Sequence, residues 1–341
     1  MRIEDFHFDL PPELIAQYPA PQRDSSRLLV LNRADASIQH LYFGDLPAML
    51  TPRDALTLNQ TRVVPARLKG KKAGSAGAVE LLLIRQEGER WLAMGKPARR
   101  LGLGSRLEFG KGQLSAQVVE LDGPGRVWVR FEPTQVSQLL PCLGEIPLPP
   151  YIRRPLQEED KDRYQTVYAR VEGAIAAPTA GLHFTAALLE RIEAQGTAIV
   201  PVLLHVGPGT FAPVRCADVR QHRMEPEYYC IDEESAALLR RRRQEGGRIV
   251  AVGTTVVRTL ETVCGGGGEP VAGEGWTAKF IYPPYTFKGV DALVTNFHLP
   301  GSTLLLLVAA FSGRELLLEA YRRAVESGYR FYSYGDAMLI I

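Results

Sequence analysis

Val79-Glu80-Leu81-Leu82-Leu83-Ile84, Trp91-Leu92-Ala93-Met94, Arg106-Leu107-Glu108-Phe109, Leu114 to Leu121 and Arg126 to Phe131 follow one another, with Glu87-Gly88, Gly110-Lys111-Gly112 and Asp122-Gly123-Pro124-Gly125 between them. Short apolar or alternating runs broken by glycine turns predict antiparallel strands, and several in close succession predict a small closed barrel between Arg62 and Phe131. A proline-rich stretch from Pro141 to Pro155, including Pro147-Leu148-Pro149-Pro150-Tyr151, is expected to carry the chain back out of it.

Beyond Tyr164 the rhythm changes to short apolar strands alternating with helical stretches, the pattern of parallel β-α units. Thr185 is placed to cap a helix over 186–195 that Gly196 ends, and Ala198 to Leu204 reads as the next strand. Asp232 caps a second helix, with Glu233 and Glu234 in its first turn, Arg240 to Arg243 in its last, and Gly246-Gly247 as its stop. Ile249 to Val252 follows as a strand, and Gly265 to Gly268 as a flexible loop. Residues 1–60 also read as mixed α/β, with strands at Leu28 to Leu31 and Ala55 to Leu58. The expectation is a discontinuous α/β domain, barrel-like or with a mixed sheet, formed by 1–60 and 151–341, with a small antiparallel β-barrel inserted over 61–150.

At roughly 150 residues per domain, 341 residues suit two such units. Hydrophobic residues at 45% and charged residues at 23% describe a folding chain rather than a disordered one. The charge balance, 40 − 38 = +2, supplies no uniformly basic surface, so any RNA contact must be local. Cys142, Cys216, Cys230 and Cys264 form no C-x-x-C pair and the six histidines no H-E-x-x-H, which argues against a structural metal and for reduced thiols in cytoplasm. The N-terminus lacks the order of a signal peptide, and the longest apolar run, Leu304 to Phe311, falls far short of the ~20 residues that span a bilayer.

Chemistry gathers in five segments placed just after predicted strands: Pro178-Thr179-Ala180-Gly181-Leu182-His183-Phe184, His205-Val206-Gly207-Pro208-Gly209-Thr210-Phe211, Gly253-Thr254-Thr255, Asn296-Phe297-His298-Leu299-Pro300 and Gly335-Asp336. Parallel sheets bind ligands at the carboxyl ends of their strands. Imidazoles there can hold a sugar hydroxyl or move a proton near neutral pH. Gly253-Thr254-Thr255 opens a helix to about Val263, whose free amides suit an anion. Arg258, read as lying in that helix's first turn, opposes the dipole and calls for a compensating anion, either a ligand or a nearby Glu. Lys69, Lys71, Lys72, Arg99 and Arg100 are expected on barrel turns, where they could meet phosphates or simply solubilise the surface.

Arg23-Asp24-Ser25-Ser26-Arg27-Leu28, Thr61-Arg62-Val63-Val64-Pro65-Ala66-Arg67, Pro147 to Ile152, Arg163-Tyr164-Gln165-Thr166-Val167-Tyr168, the five segments above and the ending Tyr329 to Leu339 together resemble the S-adenosylmethionine:tRNA ribosyltransferase-isomerases over essentially the whole chain. Departures are few; in His222-Arg223-Met224-Glu225-Pro226-Glu227-Tyr228, Glu225 stands where the family usually has a second histidine, which shifts weight to His222 and Glu227. The resemblance implies transfer of the ribosyl part of S-adenosylmethionine, a co-substrate, to the aminomethyl group of 7-aminomethyl-7-deazaguanine at the tRNA wobble position. Adenine and methionine leave and an epoxide closes, with no metal or bound cofactor. On that reading His183, His205, His298 and Asp336 serve proton transfer and sugar contacts. Thr179, Gly181, Gly207, Gly209, Thr254, Thr255, Arg258 and Asn296 bind the co-substrate, with Thr254, Thr255 and Arg258 on its carboxylate. The partners are tRNA and S-adenosylmethionine, with no membrane, and the chain is expected to be monomeric.

Two other readings stand beside it. A methyltransferase would show a glycine-rich loop after its first strand followed by an acidic residue for the ribose, and no such pair occurs. A non-catalytic RNA-binding module would suit the barrel but leaves the histidine-bearing loops without a purpose.

Overall fold

The computed structural model describes residues 1–211, 214, 216–265 and 268–341. Gly266 and Gly267, in the loop expected to be flexible, lie outside the described residues. Strands β1 (Arg27–Leu31), β2 (Ile38–Tyr42) and β3 (Ala55–Asn59) come first, and β4 (Thr61–Val63) leads outward. Next come β5 (Arg67–Lys72), β6 (Ala78–Glu87), β7 (Arg90–Lys96), β8 (Arg106–Phe109), β9 (Leu114–Leu121) and β10 (Arg126–Glu132). Helix α1 (Val136–Leu143), the short β11 (Gly144–Glu145) and α2 (Asp160–Arg163) bring the chain to β12 (Val171–Ala174). The remainder is α3 (Ala186–Ala194), β13 (Ala198–Leu204), β14 (Glu227–Ile231), α4 (Glu233–Gln244), β15 (Ile249–Val252), α5 (Thr254–Val263), β16 (Gly273–Thr277), β17 (Ala292–Asn296), α6 (Thr303–Ser312), α7 (Arg314–Glu326) and β18 (Ala337–Ile340).

Two sheets carry the architecture. A nine-stranded mixed sheet runs β16-β14-β13-β3-β15-β17-β18-β1-β2, and its centre, β13-β3-β15-β17, is parallel. Strands buried on both faces need apolar residues at consecutive positions, which is why Ile249-Val250-Ala251-Val252 has no polar alternation. Ile249 and Ala251 face a core shared with α4, α5, α6 and α7, while Val250 and Val252 face one built with Leu188 and Ile192 of α3 and with Phe43 and Leu46. The second sheet closes on itself as β5-β6-β7-β10-β9-β8, antiparallel throughout, with β11 paired to β5 outside the ring. Closure depends on Gly70: a Cβ there would stand 2.2 Å from the Glu108 carbonyl and 2.5 Å from the Phe109 ring, the β8 residues it must approach.

The chain leaves and re-enters the α/β body side by side, since β4 pairs in parallel with β12 (Thr61 with Val171, Arg62 with Glu172). Gln165 clamps this junction, accepting from the Val63 N–H at 3.0 Å and donating to the Val63 carbonyl at 2.7 Å.

Several expectations need correction. Over residues 1–60 the structure holds strands and 3-10 turns, with no α-helix. Lys69, Lys71 and Lys72 lie within β5 rather than on a turn, Lys69 pairing with Glu145 at 2.6 Å and Lys71 with Glu108 at 3.2 Å; glycine at position 70 disguised the strand. Gly335-Asp336 precedes β18 instead of following a strand. Arg258 is the fifth residue of α5, beyond the first turn where the dipole acts, so the helix field does not by itself demand an anion. Among the described residues, no helix is long and apolar enough to cross a membrane.

One buried ion pair ties the returning chain to the C-terminal loop. Asp160 is fully buried and accepts from both terminal nitrogens of Arg154 at 2.6 and 2.7 Å, from the Gln157 N–H at 2.8 Å and from the Tyr334 hydroxyl at 2.9 Å. Burial pushes its pKa up, but these bonds outweigh it and hold the carboxyl below its ordinary value. Asp160→Ala strands the guanidinium and is expected to cost about 3–5 kcal/mol, read as a lower midpoint in urea unfolding.

Candidate functional site

The four central parallel strands all end at one sheet edge. Val202 lies beside Asn59, Ala251 beside Thr57 and Val252 beside Val294, so His205, Thr61, Gly253 and Asn296 emerge together. Because β18 is antiparallel to β17, with Asn296 opposite Ala337, Gly335-Asp336 reaches this edge from its starting end.

Where the edge faces the barrel, a cleft of about 420 Å³ opens, within the range that holds a small organic ligand. Leu83 to Gln86 and Trp91 form the barrel wall, Glu172 and Gly173 the junction, and His205 to Pro208, Glu225 to Tyr228 and Trp276 the body wall. Thr61 Oγ1 lies 2.8 Å from His205 Nδ1, and the imidazole stacks on Tyr228 with ring centres 5.8 Å apart. Burial lowers the His205 pKa, so the ring enters neutral pH uncharged and able to take a proton. Gly173, at φ +149°, makes room for it: a Cβ there would lie 2.6 Å from Nε2.

Six of the other predicted residues lie further along the same edge in crevices of about 20–30 Å³, each room for roughly one water. Thr179, Asn296 and His298 line two of them, and Thr254 and Thr255 line one of these two with Val206, which also borders the large cleft. His183 lies in a third, joined to its neighbour through Ser333. Asn296 Nδ2 donates to His183 Nε2 at 3.0 Å and to the Tyr332 carbonyl at 3.2 Å, so the His183 proton sits on Nδ1, 2.7 Å from Ser26 Oγ. Burial lowers the pKa of His183 to about 4, with Asp336 opposing the shift, and that of His298 to about 3. Asn296 Oδ1 is buried without a partner.

His183, His205 and His298, expected to serve the same chemistry, form a row rather than sharing one cleft: His205 in the large cleft, His298 and His183 in successive crevices. Asp336 lines none of these cavities. Its oxygens accept from the Arg27 N–H at 3.0 Å and the Arg330 N–H at 2.8 Å, with both guanidiniums beside them, so the carboxylate holds the C-terminal loop to β1. Gly181 serves close packing, since a Cβ there would stand 2.0 Å from the Tyr168 hydroxyl oxygen. Gly207 borders the cleft, and Gly209 lies against Glu225.

Arg258 is corrected in its partner. Its guanidinium, 4% exposed, is bonded to the Glu227 carboxylate, itself 2% exposed, and donates to the Lys279 carbonyl at 3.0 Å. Glu227 also accepts from the Gly207 N–H and the Thr210 hydroxyl, both at 2.7 Å. The compensating anion is thus a side chain. Glu225, on the body wall of the cleft, meets Arg126 of the barrel at 2.5 Å, while His222 turns to Phe280, ring centres 5.0 Å apart.

A family model described as queuosine biosynthesis protein matches residues 3–340. The chain belongs to this family. It is 53% identical to an S-adenosylmethionine:tRNA ribosyltransferase-isomerase of Moorella thermoacetica over the whole of both chains. It is 55% identical to one of Syntrophomonas wolfei, over all of this chain and 97% of that one. The crystal structure of S-adenosylmethionine tRNA ribosyltransferase from Thermotoga maritima matches at 39% identity with a TM-score of 0.57, covering 99% of this chain and all of that one.

In this member of the queuosine biosynthesis family, the cleft includes residues that sequence reasoning passed over: Trp91, Tyr228, Trp276 and Arg85. A signal was present, because the chain has three tryptophans and two of them line the cleft, Trp276 with 57% exposure. Exposed indole on a ligand-sized cavity is a stacking surface.

Two outcomes follow from these geometries. His183 and His298 stay neutral in the folded chain down to about pH 4 and 3, whereas unfolded they protonate near 6.5. Their folded pKa values are depressed, so the stability they permit is complete above pH 6.5 and drains as pH falls toward those values. His298→Gln is expected to flatten the fall of stability between pH 6.5 and 4 by about 1.4 kcal/mol per pH unit, measured by urea unfolding across that range. Glu227→Met and Arg258→Met singly are each expected to cost about 3–5 kcal/mol and the double variant much less, because each single change leaves a buried charge alone; equal, additive losses in a double-mutant cycle would contradict a pair.

Proposed function

We propose that this chain catalyses the reaction named for its relatives: the ribosyl moiety of S-adenosylmethionine is transferred to the aminomethyl group of 7-aminomethyl-7-deazaguanine in tRNA and isomerised, giving epoxyqueuosine with release of adenine and methionine. The observation that carries this reading is identity of 53–55% to enzymes of that name, over all of this chain and 97–100% of theirs. The cleft agrees with it in kind, being large enough for a nucleoside and walled by aromatics.

The reaction makes three physical demands. The sulfonium acidifies the adjacent ribosyl C–H so that a positioned base can remove its proton; the amine must be neutral to attack; and adenine departs more easily when protonated. A neutral imidazole on the cleft wall, His205, is suited to the proton transfers, steered by Thr61 and backed by Tyr228. Asn296, Thr179, Thr254 and Thr255 offer hydrogen bonds in the adjoining crevice to a single water-sized group of the donor, such as a hydroxyl. His298 and His183, whose buried rings resist protonation near neutral pH, act as neutral hydrogen-bonding groups in this scheme. The proposal includes two domains, 1–60 with 151–341 and 61–150, a monomeric cytoplasmic enzyme, and no cofactor beyond the co-substrate.

A release assay with S-adenosylmethionine and tRNA bearing the precursor base separates the alternatives. Free adenine and methionine in equal amounts are expected; S-adenosylhomocysteine instead would mean methylation, and neither product a binding module. In the same assay His205→Ala is expected to lower kcat by about 10²–10⁴ with an unchanged melting temperature.

A further inference from the structure

Around the C-terminal loop five arginines meet, and three are paired with carboxylates: Arg154 with Asp160, and Arg27 and Arg330 sharing Asp336. Arg23 and Arg163 are not. Arg23 donates only to the carbonyls of Leu182 at 3.1 Å and Asp162 at 2.7 Å, and Arg163 only to those of Pro21 at 3.2 Å and Ala20 at 2.5 Å. Among the described residues neither has a carboxylate within ion-pair distance. A guanidinium has five N–H donors, so each keeps several in hand, and the Arg163 Nε is buried with no partner at all.

Both side chains line the same small crevice, together with Ser26, His183, Tyr334 and Gly335. Desolvation lowers the Arg23 pKa and repulsion from the nearby Arg163 lowers it further, with Tyr334 and the Asp162 charge opposing. Tyr168, whose buried hydroxyl also lacks a partner, feels the Arg23 charge. Two half-buried like charges side by side are costly unless an anion joins them. The crevice opens at the end of the row that begins at the large cleft, because Ser333 borders both it and the His298 crevice.

We propose that Arg23 and Arg163 form a subsite for a backbone phosphate of the RNA substrate. Paired planar forks match the spread oxygens of a phosphodiester. With a net charge of only +2 the chain has no general pull on RNA, so its phosphate contacts have to be local, and a built one beside the reacting site would fix the register of the substrate. The inference rests on tRNA being the substrate.

The test measures tRNA affinity of the full chain from 50 to 200 mM salt, with steady-state constants for both substrates and a thermal melt for each variant. Arg23→Gln and Arg163→Gln are each expected to weaken tRNA binding about tenfold to a hundredfold. The log–log salt slope should drop by about one, and the KM for S-adenosylmethionine should stay as it was. Should the Gln variants melt early, Arg23→Lys and Arg163→Lys decide: a phosphate site keeps the salt slope but loses several-fold in affinity. Lower melting with unchanged tRNA affinity would reduce the pair to a fastening of the chain and overturn the proposal. A raised KM for S-adenosylmethionine alone would overturn it in favour of the donor carboxylate. If the unaltered chain binds tRNA no better than an unrelated RNA and releases no adenine, the functional reading itself has failed, an outcome visible before any variant is made.

Discussion

A buried carboxylate at Glu227 is the constraint around which the site is assembled. It gathers the Arg258 guanidinium from α5, the Gly207 N–H and the Thr210 hydroxyl from the loop after β13, while Arg258 reaches on to the carbonyls of Thr277, the last residue of β16, and of Lys279 just beyond it. None of these polar groups could be buried singly without a large desolvation cost. Together they lock the loop that carries His205 against the helix that opens at Thr254. The cleft's body wall therefore has a fixed shape before any ligand arrives, which is the condition for positioning a reacting atom.

The opposite wall depends on topology. Side-by-side pairing of β4 and β12 puts both crossings to the barrel at one place, beneath the cleft, and Gly173 within that junction leaves space for the His205 ring. The Arg126–Glu225 pair joins β10 of the barrel to the body wall of the cleft. Both groups are partly exposed, so the contact is worth little energy and can yield when a large substrate arrives. Glu225, standing where relatives were expected to have histidine, makes that contact possible.

The histidines show how burial sorts one residue type into different chemistry. His205 keeps one side to the cleft, and its ring remains available to a proton. His183, pressed on Phe43 with ring centres 4.9 Å apart and held between Ser26 and Asn296, is a fixed dipole with a defined tautomer. His298, bonded to Thr295 at 2.8 Å, is buried more severely in electrostatic effect. Spacing along the chain carries no information about such differences in solvation.

Local structure was legible because its causes are local. Thr185 and Asp232 cap their helices through the Leu188 and Ser235 N–H groups, Ala198–Leu204 and Ile249–Val252 stand where their apolar runs placed them, and glycine turns separate the barrel strands. The loops rich in Gly, His and Thr were legible as well, since few other compositions suit the ends of parallel strands. What pairs with what was decided only by tertiary structure. Arg258 meets Glu227 across 31 positions, Asp336 meets Arg27 across 309, and β5 was hidden because the glycine that lets it close on β8 breaks its apolar pattern. Electrostatic partners and barrel closure depend on distances between segments remote in the chain. Composition and periodicity report only the nearest few residues, so the elements belong to the sequence and the charges at the site to the fold.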